Sequence, residues 1–236
     1  MNFEASNKVA AKVAAIILAA GKSTRMQSDI PKPFISVAQD TVLRHTVRAF
    51  QASEEIDSII VVSPSDYLKK IKDQLSDFSK VDAVVVGGES RMASARRGFS
   101  AIGEDIDFVA IHDAARCLIT PDMINSVVAV AKSFGAATAG CAVYDTVKSV
   151  ENGEIVGTVS REGLFLAQTP QVFDRVLYAK ALVSDLDFDC ITDDNMLMET
   201  IGVRVKCVNT GPTNVKLTTK LDLDYAEFLL SKRGYE

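Results

Sequence analysis

Ala14-Ala15-Ile16-Ile17-Leu18-Ala19-Ala20-Gly21 is an unbroken apolar run that ends in a small-residue turn. It opens into a cationic segment, Lys22-Ser23-Thr24-Arg25-Met26, with Pro31-Lys32-Pro33 shortly after. An apolar run of this kind suits a strand buried on both faces of a parallel sheet. Ala20 and Gly21 let a ligand approach the backbone, and Gly21 is free to take a positive φ. Arg25 and Lys32 supply the countercharge a polyphosphate needs. The stretch reads as a nucleoside-triphosphate site at the carboxyl end of the first strand, or, more plainly, as a βα turn. It is not a Walker A loop: that motif requires a glycine five positions before Gly21-Lys22, where this chain has Ile16. G-x-G-x-x-G is also missing, which weakens an oxidoreductase reading.

Working outward, apolar runs at Val13–Ala19, Ser58–Val62, Ala83–Val86, Phe108–Ile111 and Ala136–Val143 alternate with helical patterns. The helical patterns cover Val42–Ala52, Ser65–Phe78, Arg91–Ile102 and Pro121–Phe134, the last entered through Thr120-Pro121-Asp122, a cap followed by a first-turn proline. Alternation at this spacing predicts an α/β fold, a doubly wound and mostly parallel sheet with right-handed crossovers. Ligands on such sheets sit beyond the carboxyl ends of the strands. That rule places Gly21, Gly87-Gly88 and His112-Asp113 on one rim.

The pattern changes after Tyr144. Thr146–Val150 and Glu154–Val159 flank Asn152-Gly153, a strong hairpin signal. A ribbon this short needs a partner surface, either its own domain or a second copy of the chain. The second copy is the expectation, giving one domain over 1–236 with a dimerisation arm at about 144–163. Beyond it, Thr169-Pro170-Gln171-Val172-Phe173 reads as a tight polar turn. Thr192-Asp193-Asp194 reads as the cap of a helix to about Ile201, Val203–Val208 as a strand, and Leu221–Leu230 as a C-terminal amphipathic helix.

A net charge of -5 argues against a general nucleic-acid binder. The scattered Cys117, Cys141, Cys190 and Cys207, with only two histidines, give neither a disulfide framework nor a zinc spacing, and read as small buried residues. With no secretory h-region and no apolar run of membrane-spanning length, a cytoplasmic, membrane-free protein is expected.

The chemistry gathers in a few places. Asp113 at a strand end suits Mg²⁺, which takes oxygen ligands and substrate phosphates, or else a turn; His112 reads as structural. Gly87-Gly88-Glu89-Ser90-Arg91 with Ser94 suits a base and ribose, or a simple helix cap. Thr146, Arg161, Thr169 and Lys216 suit a second, phosphorylated substrate, since Arg forks onto phosphate and Thr donates to it.

Together these motifs resemble the 2-C-methyl-D-erythritol 4-phosphate cytidylyltransferases of the non-mevalonate isoprenoid pathway, over nearly the whole chain. The likeness rests on eight ordered blocks: Leu18-Ala19-Ala20-Gly21-x-x-x-Arg25-Met26, Pro31-Lys32, Gly87-Gly88-x-x-Arg91-x-x-Ser94, His112-Asp113-Ala114-Ala115-Arg116, Asp145-Thr146-Val147-Lys148, Ala167-Gln168-Thr169-Pro170-Gln171-x-Phe173, Thr192-Asp193-Asp194 and Asn214-x-Lys216. The resemblance implies a Rossmann-like nucleotidyltransferase that moves a cytidylyl group from CTP to methylerythritol phosphate and releases pyrophosphate. It implies a CTP site from Ala19, Ala20, Gly21, Gly88 and Ser94, with Arg25, Lys32 and Lys216 at the phosphates and Asp113 on Mg²⁺. Thr146, Arg161, Thr169 and Arg116 would hold the acceptor, with the arm of one subunit completing its neighbour's site. The chain departs from the motif at Cys117, where proline is usual, and at Lys22-Ser23-Thr24, which replaces a glycine-containing spacer. A ribitol 5-phosphate cytidylyltransferase and a catalytically silent nucleotide sensor are the competing readings. Some relatives fuse this domain to a cyclase; a chain ending at Glu236 is expected to lack one.

Overall fold

The computed structural model describes residues 11–21, 31–183 and 190–233. A seven-stranded sheet runs in the order β11-β7-β10-β6-β1-β4-β5. Its strands are β1 (Val13–Leu18), β4 (Ser58–Ser63), β5 (Val81–Val86), β6 (Phe108–Asp113), β7 (Ala136–Ala142), β10 (Phe165–Asp174) and β11 (Lys206–Asn209). All run in one direction except β10, which is antiparallel to both β6 and β7.

Strand β1 sits at the centre because both of its faces are apolar. Val13, Ala15, Ile17 and Ala19 enter the core on one face; Ala14 and Ile16, with Leu18 and Ala20 behind them, enter the other. The first face packs under α1 (Val42–Ala52), α2 (Leu68–Gln74) and α4 (Pro121–Phe134), the second under α3 (Arg91–Phe99), α5 (Arg175–Leu182) and α6 (Asp194–Thr200). Each fully buried Ile or Val here contributes about 1.5–3 kcal/mol relative to exposure. Helix α3 lies so close to β1 that a Cβ on Gly98 would stand 2.4 Å from Ile16 Cγ2. A third, smaller cluster joins α7 (Lys220–Arg233) to Val37, Cys117, Leu118 and Leu217. Cys117 is therefore buried packing, and burial pushes its thiol up to about 12.

The two capping expectations hold. Thr120 Oγ1 accepts from Met123 N at 3.3 Å, and Asp193 Oδ1 accepts from Met196 N at 3.0 Å. The hairpin is β8 (Val147–Glu151) with β9 (Glu154–Val159), inside the expected arm. Its turn has Asn152 at φ 50° and Gly153 at φ 86°, the two positive values an Asn-Gly hairpin turn requires. A two-stranded piece at β2 (Ser36–Val37) and β3 (Asp40–Thr41) leads into α1.

Several expectations are corrected. Thr169–Phe173 is not a polar turn but part of β10, with the register shift between Ala167 and Gln171 and a cis Thr169-Pro170 bond. The segment is polar at Thr169 and Gln171 because side-chain hydrogen bonds satisfy those buried positions, while Val172 and Phe173 enter the two apolar clusters. The helix expected over Ser65–Phe78 is a 3-10 turn at Ser65–Tyr67 followed by the shorter α2. Strand β11 begins at Lys206, three residues later than expected. Cys190 and Cys207 are exposed; only Cys117 and Cys141 are buried. The C-terminal helix buries only Ala226 and Leu230, with Leu221, Tyr225 and Phe228 exposed, so it is less clearly two-faced than its sequence suggested. Among the described residues, no helix is long and apolar enough to cross a membrane.

Candidate active site

Because β1, β4, β5 and β6 run parallel, their carboxyl ends share a rim, and a cavity of about 320 Å³ opens there. Its lining includes Ala19, Ala20, Gly21, Lys32, Gly88, Ser94, Asp113 and Lys216, residues drawn from across the chain. Arg25 and Met26 lie outside the described residues.

The loop after β1 continues the sheet ladder before it opens. Ala19 N donates to Val62 O at 2.8 Å, and Ala114 N donates to Leu18 O at 3.0 Å. Gly21 does not take a positive φ, and among the described residues no atom lies within 4 Å of where a Cβ would be. Gly87 and Gly88 answer a different demand. A Cβ on Gly87 would stand 2.4 Å from Ala20 Cβ, and one on Gly88 2.4 Å from Ala93 Cβ. Only glycine lets this turn nestle against the start of α3. Gly88 N then donates to Ser94 Oγ at 3.1 Å, and Ser90 Oγ caps α3 through Ala93 N. Ser94 thus braces the glycine turn as well as facing the cavity.

Asp113, the last residue of β6, forms the charged wall. Its Oδ1 accepts from Arg91 Nε at 3.1 Å and its Oδ2 from Lys216 Nζ at 2.7 Å. Burial alone would raise its carboxyl; the Arg91 and Lys216 cations outweigh that and hold it well below the usual range. Arg91 Nη1 also donates to Asp194 Oδ2 at 2.6 Å, and Asp194 is fully buried. Tyr178 Oη donates to Asp194 Oδ1 at 2.6 Å, and Asp194 N to Gln171 Oε1 at 2.9 Å.

Beneath Asp113 lies a strut. Asp113 N donates to Thr169 Oγ1 at 3.1 Å, and the same hydroxyl lies 3.0 Å from His112 Nδ1. Arg116 O, 3.3 Å from His112 Nε2, can only accept, so the neutral ring carries its proton on Nε2 and its Nδ1 accepts from the threonine hydroxyl. Burial holds His112 neutral, with its pKa lowered to about 3. Asn214 Nδ2 donates to Thr169 O at 2.8 Å, Arg116 Nη1 to Asn214 O at 2.8 Å and Leu217 N to Ala115 O at 2.8 Å. These bonds carry the segment bearing Lys216 to the rim.

A magnesium ion suits this wall on its donor chemistry. Asp113 offers one ionised carboxylate at the cavity, and Mg²⁺ typically takes one or two carboxylates and completes its shell from phosphates and water. Among the described residues no cluster of three or more His, Cys, Asp or Glu forms a self-sufficient cage.

A family model described as IspD: 2-C-methyl-D-erythritol 4-phosphate cytidylyltransferase matches residues 13–232. The chain belongs to the IspD family. A cytidylyltransferase of that name from Alkaliphilus oremlandii is 38% identical over 227 residues, covering 94% of this chain and 96% of the relative. One from Pelotomaculum thermopropionicum is 39% identical over 228 residues, with 94% and 95% covered. Among solved structures, the 4-diphosphocytidyl-2C-methyl-D-erythritol synthase of Anaerococcus prevotii superposes with a TM-score of 0.80 at 29% identity, covering 93% of this chain and 96% of that one.

Within one chain, the IspD residues expected to hold the acceptor do not gather at the cavity. Thr169 is buried in the strut with its hydroxyl engaged on both sides. Arg116 is absent from the cavity lining, and its buried Nε has no hydrogen-bond partner among the described residues. Thr146 and Arg161 are exposed at the base of the arm, where Arg161 Nη1 donates to Tyr144 O. Asp194 was legible only as a helix-cap candidate. Its pairing with Arg91 spans 103 residues of sequence, and the only trace was that both residues fall in family-like blocks.

Proposed function

We propose that the protein transfers a cytidylyl group from CTP to 2-C-methyl-D-erythritol 4-phosphate, giving 4-diphosphocytidyl-2-C-methyl-D-erythritol and pyrophosphate. The observation that carries this reading is the single rim on which Gly88, Ser94, Lys32, Asp113 and Lys216 line one cavity, in a chain of the IspD family. The small residues Ala19, Ala20 and Gly21 leave room for the nucleotide, and the turn at Gly88 lies beside them.

An acceptor phosphate is already an anion, so the reaction needs no general base, and His112, buried with its pKa lowered to about 3 and both ring nitrogens engaged, is too weak a base to be one. An oxygen of that phosphate attacks the α-phosphorus in line; the bond to the bridging oxygen breaks, and pyrophosphate leaves with the electron pair. The obstacle is bringing two anions together. Lys32 and Lys216 offset the charge on the triphosphate and on the crowded pentavalent arrangement. In doing so Lys216 would turn from Asp113 Oδ2 toward the phosphates, opening that oxygen to the cavity. Asp113 would hold Mg²⁺, which supplies further charge neutralisation when bound.

The hairpin exposes Val150, Ile155 and Val156 by more than half. A lone two-stranded ribbon is marginally stable in water, so a second copy of the chain is the partner we assign to it. The arm would carry Thr146 and Arg161 to the neighbour's cavity, where they would hold the acceptor. Four free cysteines suit a reducing cytoplasm.

Pyrophosphate release with CTP and Mg²⁺ tests the reading, with methylerythritol 4-phosphate and ribitol 5-phosphate offered separately. Release with the first alone is expected. Release with ribitol phosphate alone would keep the nucleotide half and overturn the acceptor. CTP binding without release from either would leave a silent sensor.

A further inference from the structure

Arg91 lines the cavity and, by charge alone, would count as another phosphate-binding cation. Its hydrogen bonds say otherwise. Nε is committed to Asp113 at 3.1 Å and Nη1 to Asp194 at 2.6 Å, so the guanidinium bridges two carboxylates. Asp194 has no solvent exposure, and its other oxygen accepts from the fully buried Tyr178. Tyr178 is itself fixed between Phe173, stacked at 5.5 Å, and Phe99, edge-on at 5.2 Å. Gln171 holds the Asp194 backbone at 2.9 Å and reaches Asp193 Oδ2 at 2.7 Å. A buried carboxylate this well anchored is costly to build unless something depends on it.

We propose that Asp194 is a positioning residue that tethers Arg91 against Asp113, keeping Arg91 off the triphosphate and aiming Asp113 Oδ2 into the cavity. The tether does two things. It occupies Oδ1, so the carboxylate cannot rotate when Lys216 departs. It also sets the local charge: with Lys216 turned to phosphate, Asp113, Arg91 and Asp194 together carry one net negative charge beside the nucleotide. Without Asp194 the count is zero and Arg91 is released to grip the triphosphate in the ground state. Binding that is equally good before and during reaction does not speed the chemical step, and extra ground-state grip slows it.

The inference rests on the cytidylyltransferase reading, which wild-type turnover tests separately; the variants below are read against that wild type. For Asp194→Asn, kcat should fall about tenfold to hundredfold, the usual cost of losing a partner that orients a metal or catalytic ligand. Metal-free CTP, titrated calorimetrically, should bind about threefold to tenfold tighter, because one negative charge is gone and one cation is freed. A residue serving stability alone would lower the melting temperature and leave both quantities unchanged, and that result overturns the proposal. So does weaker metal-free CTP binding in a variant that melts like wild type. Because Asp194 is argued to act through Arg91, adding Asp194→Asn to Arg91→Gln should cost no further kcat; an additional tenfold loss refutes the coupling. If Asp194→Asn does not fold, Tyr178→Phe removes only the hydroxyl on Asp194 Oδ1. It should shift kcat and metal-free CTP affinity in the same directions by a smaller factor, and no shift in either overturns the assignment.

Discussion

At the rim, Asp113 is held by Arg91 and Lys216, Arg91 is held by Asp194, and Thr169, His112 and Asn214 brace the backbone beneath, all within one chain. On the arm, Thr146 and Arg161 are exposed, and Val150, Ile155 and Val156 face outward. The first region is ordered by burial, which makes each unpartnered polar group expensive and therefore forces pairing. The second has nothing buried to order it; its side chains await a surface. The contrast teaches that the nucleotide half of the site is finished by folding, while the acceptor half, on our reading, is finished by assembly.

The largest expected effect falls on the finished half. Lys216→Ala, or Lys32→Ala, should reduce kcat by ~10²–10³, the usual cost of one electrostatic contact to the reacting charge. The fold should be retained. Lys216 is partly exposed and its loss leaves Asp113 still paired with Arg91. Steady-state kinetics alongside circular dichroism checks both parts. A Lys216→Ala enzyme with near-normal turnover would remove that cation from the mechanism and leave its bond to Asp113 as a merely structural one.

On the unfinished half, Arg161→Ala should act on a different constant. The KM for the acceptor is expected to rise roughly tenfold to hundredfold, the range for losing a charge-assisted hydrogen bond worth about 1.5–3 kcal/mol. CTP affinity should stay nearly unchanged, because Arg161 contributes nothing to the cavity lining within its own chain. The comparison is sharpened by mixing Arg161→Ala with Lys216→Ala subunits, each slow alone when the acceptor is held near its wild-type KM. If arms serve neighbouring cavities, the mixed population should regain part of the wild-type rate, since one of the two sites in a mixed pair would draw both intact residues. No recovery would place Arg161 and Lys216 in the same subunit's site.

How much of this was legible in sequence follows the same division. Strand β1 could be read because an apolar run on both faces has few other solutions, and the hairpin because Asn152-Gly153 leaves little choice of turn. Parallel strands then placed Gly21, Gly88 and Asp113 on one rim without any knowledge of distance. What could not be read were pairings chosen by the tertiary fold. Nothing local to Asp194 says that it meets Arg91, 103 residues away, instead of capping its own helix, a task that Asp193 performs. Thr169 looked like a substrate hydroxyl in a turn, yet β10 carries it beside β6, where its oxygen is engaged by Asp113 N and His112. Polar residues in a strand are ambiguous until their partners are known, and those partners are remote.

The smallest expected effect concerns the strut, and its sign follows from His112. In the folded chain burial lowers its pKa to about 3, against an ordinary 6.5. Above 6.5 the ring is neutral whether the chain is folded or not, and pH does not act through it. Below 6.5 the unfolded chain takes up a proton that the folded chain refuses, so stability falls with pH, by at most about 1.4 kcal/mol per unit. From pH 7 to 5.5 the integrated loss is about 1 kcal/mol. Urea midpoints for wild type and His112→Asn should show it: the variant is less stable throughout but flatter across that window. His45, also lowered by burial, adds a slope of the same sign to both proteins and cancels in the comparison. Asp113 is held ionised in the fold and contributes its own loss only below the ordinary carboxylate range, so it does not enter above pH 5.5. Parallel curves would mean that His112 is not the neutral member of the strut. A steeper wild-type curve would mean that acid loosens the nucleotide pocket from beneath, at a place where the largely exposed arm has no counterpart.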